Sequence, residues 1–461
     1  MVPSAYPIHP ESMDGPPHAR RPWAPDRAWA DPAIALLALL ALLLSGLTLA
    51  RRVAPRPGTG VTLQGRLLEL PTAAEHILGS RGSLLPPLGA PSTGAGDLID
   101  PWDRALLGIL EAERGEVVQG RRLAFGDLPE GPTADSLRIV WDYAYGGGRP
   151  PLPEDRFQAG KALGRGWGAA LLEARVLRRL GMDDAPVLAE ATRSARVRLL
   201  ALGAGGSVLV LGGLGGLGVG VLLLLHRKKV PPPPSPPALH GRALLLALLV
   251  WYLALLLSSS FAGAVIHRLP SLSPYALTLA YGFHASVGIL LLLRVEGLGL
   301  RAFLARTRAP DTGRAAAWGL AYLALAIPLL LFLAILLAPL TRGLGPPQRE
   351  LLDHIAGLRT PLPLFFTFLT VAVAAPAFEE FLFRGMLLPW MADRWGWLPG
   401  LLASGALFGS IHLQPGGLPA LMALGVLLGS AARRGGGLLS PLLFHALWNG
   451  GIFLFMRLLV A

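Results

Sequence analysis

Glu379-Glu380-Phe381-Leu382-Phe383-Arg384, Phe408-Gly409-Ser410-Ile411-His412 and His445-Ala446-Leu447-Trp448-Asn449 stand in three nearby apolar segments between Ala377 and Asn449. By length and hydropathy the segments that hold them are membrane spans. Two adjacent carboxylates, two histidines and an asparagine are costly to bury in such segments, so all five are functional candidates.

Outward from this stretch the chain stays apolar. Its 461 residues are 52% hydrophobic and 15% charged, with a mean hydropathy of +0.52, too apolar for an ordinary soluble protein. The expected fold is all-α, a polytopic membrane bundle of about nine spans. These are residues 33–50, 199–225, 243–266, 275–293, 315–340, 361–390, 398–412, 418–432 and 438–459. The segment 418–432 is short for the roughly 20 residues of a crossing, so a re-entrant segment is an alternative there. Residues 1–32 are Pro-rich and polar, a disordered tail ahead of the 33–50 anchor. Between the first two spans, 53–196 turns mixed in composition, with amphipathic patterns at 102–113, 134–145 and 158–180. This predicts a small, mostly helical soluble domain. The polyproline run within 230–240 marks a stiff linker before the last part of the chain, 241–461.

The formal charge of +12 comes almost wholly from arginine, for Lys161, Lys228 and Lys229 are the only lysines. Its sharpest clusters flank apolar runs, which reads as topology and lipid-headgroup contact, with the bilayer as partner and no nucleic acid. The basic loops after His226, at 294–314, at Arg394 and at Arg433-Arg434 are separated by pairs of spans, so they share one side. The positive-inside rule calls that side cytoplasmic, most simply in a bacterial cytoplasmic membrane, and places 53–196 outside. The chain has no cysteine, which removes disulfides, thiolate metal sites and cysteine nucleophiles.

Residues four apart share a helix face, so Glu380 lies beside Arg384, Phe408 beside His412 and His445 beside Asn449. From Pro361 onward the only acidic residues are Glu379, Glu380 and Asp393, and Asp393 adjoins Arg394 in a loop. A catalytic carboxylate in this half is therefore one of the two glutamates. Asn449 is the only asparagine of the chain, one turn beyond a histidine. A carboxylate and a histidine that share a water can act as its general base, while a second histidine and an amide can donate to a developing oxyanion. That inventory suits hydrolysis of an acyl bond without a covalent nucleophile. An HExxH zinc motif is absent, and no serine elbow lies in a span. Gly94-Ala95-Gly96-Asp97 spells an aspartyl-protease motif, but in a polar region without a second membrane aspartate.

Glu-Glu-x-x-x-Arg, Phe-x-x-x-His and His-x-x-x-Asn, in this order, resemble the motifs of the CPBP family of intramembrane endopeptidases, which includes the type II CAAX prenyl proteases, bacteriocin-processing enzymes and Abi-like proteins. The resemblance covers a motif core at 361–456 within a 241–461 domain. It implies that Glu379 and His412 activate the water and that His445 and Asn449 form the oxyanion site, with Glu380, Arg384 and Phe408 in support. It implies a membrane-associated peptide or protein substrate, of CAAX/prenyl or signal/leader type. It leaves a glutamate-dependent or a metallo-endopeptidase open, because Glu379, His412 and His445 would equally serve as ligands of one zinc.

Bland readings stand beside these. Glu380 with Arg384 reads as a structural ion pair, and His445 with Asn449 as an interhelical hydrogen-bond clamp. Phe408 is packing around the site, and His284, with no motif partner, is a contact within the bundle. Counted from the cytoplasmic loops, His412 lies deeper than His445 by about eight residues of helix rise, so a tilt, break or re-entrant segment must level them. The alternative function is a non-catalytic scaffold or immunity-type protein that binds partners through its outer domain. A transporter is disfavoured because the two halves show no repeated pattern.

Overall fold

The computed structural model describes residues 25, 27–53, 69–78, 100–164, 166–225, 240–297, 299–341, 351, 354–355, 358 and 360–460. Most of the expected 1–32 tail, nearly all of the 230–240 linker and Gly94 to Asp97 lie outside them. Among the described residues there is no strand. In chain order the helices are α1 (Arg27–Val53), α2 (Leu70–Leu78), α3 (Pro101–Glu113), α4 (Val117–Phe125), α5 (Pro132–Trp141), α6 (Pro153–Leu163), α7 (Trp167–Arg179) and α8 (Ala185–Leu225). There follow α9 (Gly241–Arg268), α10 (Ala276–Glu296), α11 (Leu300–Thr307), α12 (Thr312–Thr341) and α13 (Pro361–Leu369). The last are α14 (Ala375–Leu382), α15 (Leu388–Trp395), α16 (Trp397–Ser410), α17 (Leu418–Gly435) and α18 (Leu439–Val460). The chain divides into two compact units, one of residues 1–52, 216–335 and 360–449, the other of 53–215, 336–359 and 450–461.

The second unit contains helices α2 to α7, of which α2 and α4 were not marked by the amphipathic patterns. Pro101, with no N–H to satisfy, opens α3, and the Asp100 carboxylate accepts the Trp102 N–H at 3.0 Å. The pattern over 158–180 divides at Gly164, between α6 and α7. Trp102, Ile109, Leu137, Trp141, Leu163 and Val176 form the core. A buried ion pair joins Arg198 of α8 to Glu69 at 3.0 Å, and Glu69 also accepts the Gly168 N–H that opens α7. Helix α8 runs unbroken from 185 to 225, so its apolar stretch begins within one continuous helix rather than after a break near 196.

Among the described residues eight helical stretches are long and apolar enough to cross a bilayer. The sequence suggested nine. The difference lies at 398–412, where α16 has 14 residues and spans about 21 Å at 1.5 Å per residue, short of the roughly 30 Å hydrocarbon core. The neighbouring segment, expected to be the short one, reaches Gly435 and is long enough. α16 and α17 pack as a hairpin that brings the chain back toward the end it left. A Cβ on Gly425 would stand 2.8 Å from the Gly405 Cα, so the two backbones approach as closely as side chains permit. Helix α1 is tied to α9 by Ser45 Oγ to Tyr252 Oη at 2.9 Å and by Arg242 Nε to Asp31 at 2.7 Å. The core of the first unit is aromatic, with Trp251, Phe303, Phe378, Phe381, Phe408 and Phe444 all buried around the motif helices.

Candidate active site

The span 361–395 is three helices joined by two widened, π-type turns, Thr370–Ala374 and Phe383–Leu387. Both have the same local cause. At the first, the Ala375 N–H reaches back five residues to the Thr370 carbonyl, and the next residue, Pro376, has no N–H to give. The Val371 carbonyl is thus left without its ordinary helical donor. At the second, the Leu388 N–H goes to the Phe383 carbonyl and Pro389 follows. Between these turns lies α14 with Glu379 and Glu380.

Glu380, 1% exposed, is the hub. Its Oε1 accepts from Arg384 Nη1 at 3.0 Å and lies 2.8 Å from His445 Nδ1. A carboxylate already accepting from a guanidinium is an acceptor, so Nδ1 carries the hydrogen. Arg384 uses its other terminal nitrogen on the Gly425 carbonyl of α17 at 2.8 Å, which links the first motif to the α16–α17 hairpin. The guanidinium also sits 4.7 Å from the Phe408 ring centroid. His445, 2% exposed and held through Nδ1, turns Nε2 toward Glu379, whose Oε2 is 3.8 Å away. That separation is too long for a direct hydrogen bond and suits one small bridging group. Among the described residues, no hydrogen-bond donor meets the Oε2 atoms of Glu379 and Glu380.

His412 lies just past the end of α16, with Nδ1 2.7 Å from the Phe408 carbonyl. Its ring and that of His445 lie on the same Phe408 side chain, at centroid distances of 5.1 and 5.8 Å. The two histidines thus flank one ring, despite the depth mismatch expected from the count of residues. Asn449 Nδ2 donates to the Val371 carbonyl at 3.1 Å, the acceptor that the widened turn and Pro376 leave over. An amide carries two N–H groups and a carbonyl oxygen, so this bond uses one of its donors.

The structure therefore gathers Glu379, Glu380, Arg384, Phe408 and His445 in one contact network, with His412 against Phe408 and Asn449 on the turn that leads to Glu379. His284 is buried, with Nδ1 3.0 Å from the Ala280 carbonyl and its ring against Tyr281 and Phe378, as a bundle contact. Sequence reading missed Thr278 and Tyr281 of α10, whose hydroxyls reach Thr370 Oγ1 at 3.0 Å and the Ala375 carbonyl at 3.2 Å. Their signal was a faint polar stripe, three residues apart in an apolar span. As a metal site the arrangement fits only in part: among the described residues no three His, Asp or Glu side chains converge to hold an ion.

Residues 361–451 match the family model described as Rce1-like, type II CAAX prenyl endopeptidase Rce1-like. No curated protein and no solved structure matches the chain. The match covers all three motifs and both widened turns, and in this segment the chain is similar to the Rce1-like type II CAAX prenyl endopeptidases.

Proposed function

We propose that the 361–451 domain is an intramembrane endopeptidase centre in which Glu379 takes a proton from water as the water attacks a peptide carbonyl. The substrate class to try first is a membrane-associated, prenylated peptide, the class named in the matching family's description. His412 shares the water with Glu379. His445, its tautomer and direction fixed by Glu380 and Arg384, holds the water through the Nε2 lone pair, and the second N–H of Asn449 donates where charge develops on the carbonyl oxygen. The proton held by Glu379 passes to the leaving amine as the C–N bond breaks.

The observation that carries this reading is the buried chain Arg384, Glu380, His445, Glu379. A purely structural ion pair needs no imidazole between two carboxylates, with one face left at 3.8 Å from the second. On the same reading residues 53–196 face the extracytoplasmic side.

The test is cleavage of an internally quenched farnesylated peptide by the purified full chain, beside its unprenylated twin, with and without chelator. Elemental analysis of the wild type and His445→Ala runs in parallel. Cleavage that survives chelation supports direct activation of water. Zinc that vanishes in His445→Ala, with chelator-sensitive cleavage, would replace it by a metal-held water. No cleavage of either peptide would favour the scaffold alternative.

A further inference from the structure

A widened turn contains one residue more than an α-turn, so it rotates everything beyond it by roughly 100° about the helix axis. The turn Thr370–Ala374 therefore decides which way α14 presents Glu379 and Glu380. Widened turns are rare and poorly bonded, and they persist only where the surroundings hold them. Here one neighbour, α10, supplies two hydroxyls, three residues apart on one face. The Thr370 hydroxyl donates to the Phe366 carbonyl at 2.8 Å, so in its contact with Thr278 at 3.0 Å it is the acceptor and Thr278 the donor. Thr278 thus fixes the start of the turn. Tyr281 Oη donates at 3.2 Å to the Ala375 carbonyl, the first residue past the turn and one helical turn before Glu379. Both residues lie outside the matched segment, and their hydrogen bonds go to the turn rather than to Glu379.

We propose that Thr278 and Tyr281 are positioning residues that hold the widened turn Thr370–Ala374 and thereby aim the Glu379 carboxylate at the space before His445 Nε2. The catalytic consequence rests on the proposed endopeptidase reading; the aiming itself does not. An endopeptidase of this layout then needs α10 for activity, although its three motifs lie between 379 and 449.

The chain has no cysteine, which permits a test independent of turnover. In a Glu379→Cys, His445→Cys background, the rate of cross-linking by a short bifunctional thiol reagent reports whether position 379 faces position 445. Tyr281→Phe combined with Thr278→Val slows this cross-linking severalfold, whereas Thr278→Ser, which keeps the hydroxyl, restores the wild-type rate. In the native background, Tyr281→Phe lowers kcat on the farnesylated probe by about tenfold to a hundredfold, as expected for misplacement by about 1 Å, with KM unchanged. Thermal unfolding in detergent measures the folded fraction of each variant. Cross-linking that is unchanged, or that falls only in proportion to the folded fraction, overturns the proposal. If the wild type fails to cleave the probe, the endopeptidase reading falls, and the cross-linking still decides whether the turn is aimed by α10.

Discussion

Arg384 carries two bonds that a shorter or more flexible cation would not make together, one to Glu380 and one to the Gly425 carbonyl. Arg384→Ala leaves Glu380 buried beside an imidazole without its cation, a change expected to cost about 3–5 kcal/mol of stability, read as a lowered unfolding midpoint in detergent. Arg384→Lys should recover little of it, since a single ammonium lacks the planar fork that serves two acceptors. Asn449 sits where the hydrogen-bond clamp and the oxyanion donor meet. Its bond to Val371 makes the clamp visible. If its other N–H also meets the oxyanion, Asn449→Ala lowers kcat by about tenfold to a thousandfold per folded molecule; a loss confined to protein yield would leave only the clamp. The pairing of Glu380 with Arg384 was legible from their spacing, because four residues on a helix share a face. That His445 docks on Glu380 was not, because spacing along the chain says nothing of which face meets which across helices.

At the scale of elements, most spans could be read from hydropathy, and their ends shift by only a few residues. Two features could not. α16 is 14 residues long because the chain between Trp397 and Ser410 is bounded by a turn at each end, and apolar composition carried the estimate past its true end into His412. The widened turns hid inside an apparently continuous span, although Pro376 and Pro389, each two residues beyond a turn, were their mark. A proline within an apolar span signals a local rearrangement of backbone bonds, not simply a kink. The α16–α17 hairpin supplies the Gly425 carbonyl to Arg384 because no side chain keeps the two helices apart. Gly425→Ala would place a Cβ 2.8 Å from the Gly405 Cα and 3.2 Å from the Phe408 Cβ. The expected result is a loss of about 1–3 kcal/mol in unfolding measurements, with cleavage per folded molecule also reduced, as the Arg384 acceptor and the Phe408 ring shift.

At the scale of the whole molecule, the three motifs in order picked out the same segment that the family model matches, 361–451. Among the described residues of 53–196, the Glu113 carboxylate anchors a polar network. Tyr145 Oη donates to Glu113 at 2.7 Å, and Arg175 Nε donates to the same carboxylate at 2.8 Å. Burial, and after it the Glu113 carboxylate, raises the Tyr145 phenol well above its ordinary 10.0. An acid held protonated by folding stabilises the folded state below its unfolded pKa, and that stability is lost as pH rises toward the folded value. Hydrogen exchange within residues 100–180 should therefore speed up above about pH 10, and Tyr145→Phe should remove that part of the pH dependence.

The claim on which the whole account turns is that Glu379, and not its buried neighbour, supplies the base. The measurement is cleavage of the farnesylated probe by Glu379→Gln and wild type at equal folded concentration. Glutamine keeps the size of the side chain and removes its basicity. The account predicts a fall of about a hundredfold to ten-thousandfold with the unfolding midpoint unchanged. Cleavage by Glu379→Gln at close to the wild-type rate would contradict it.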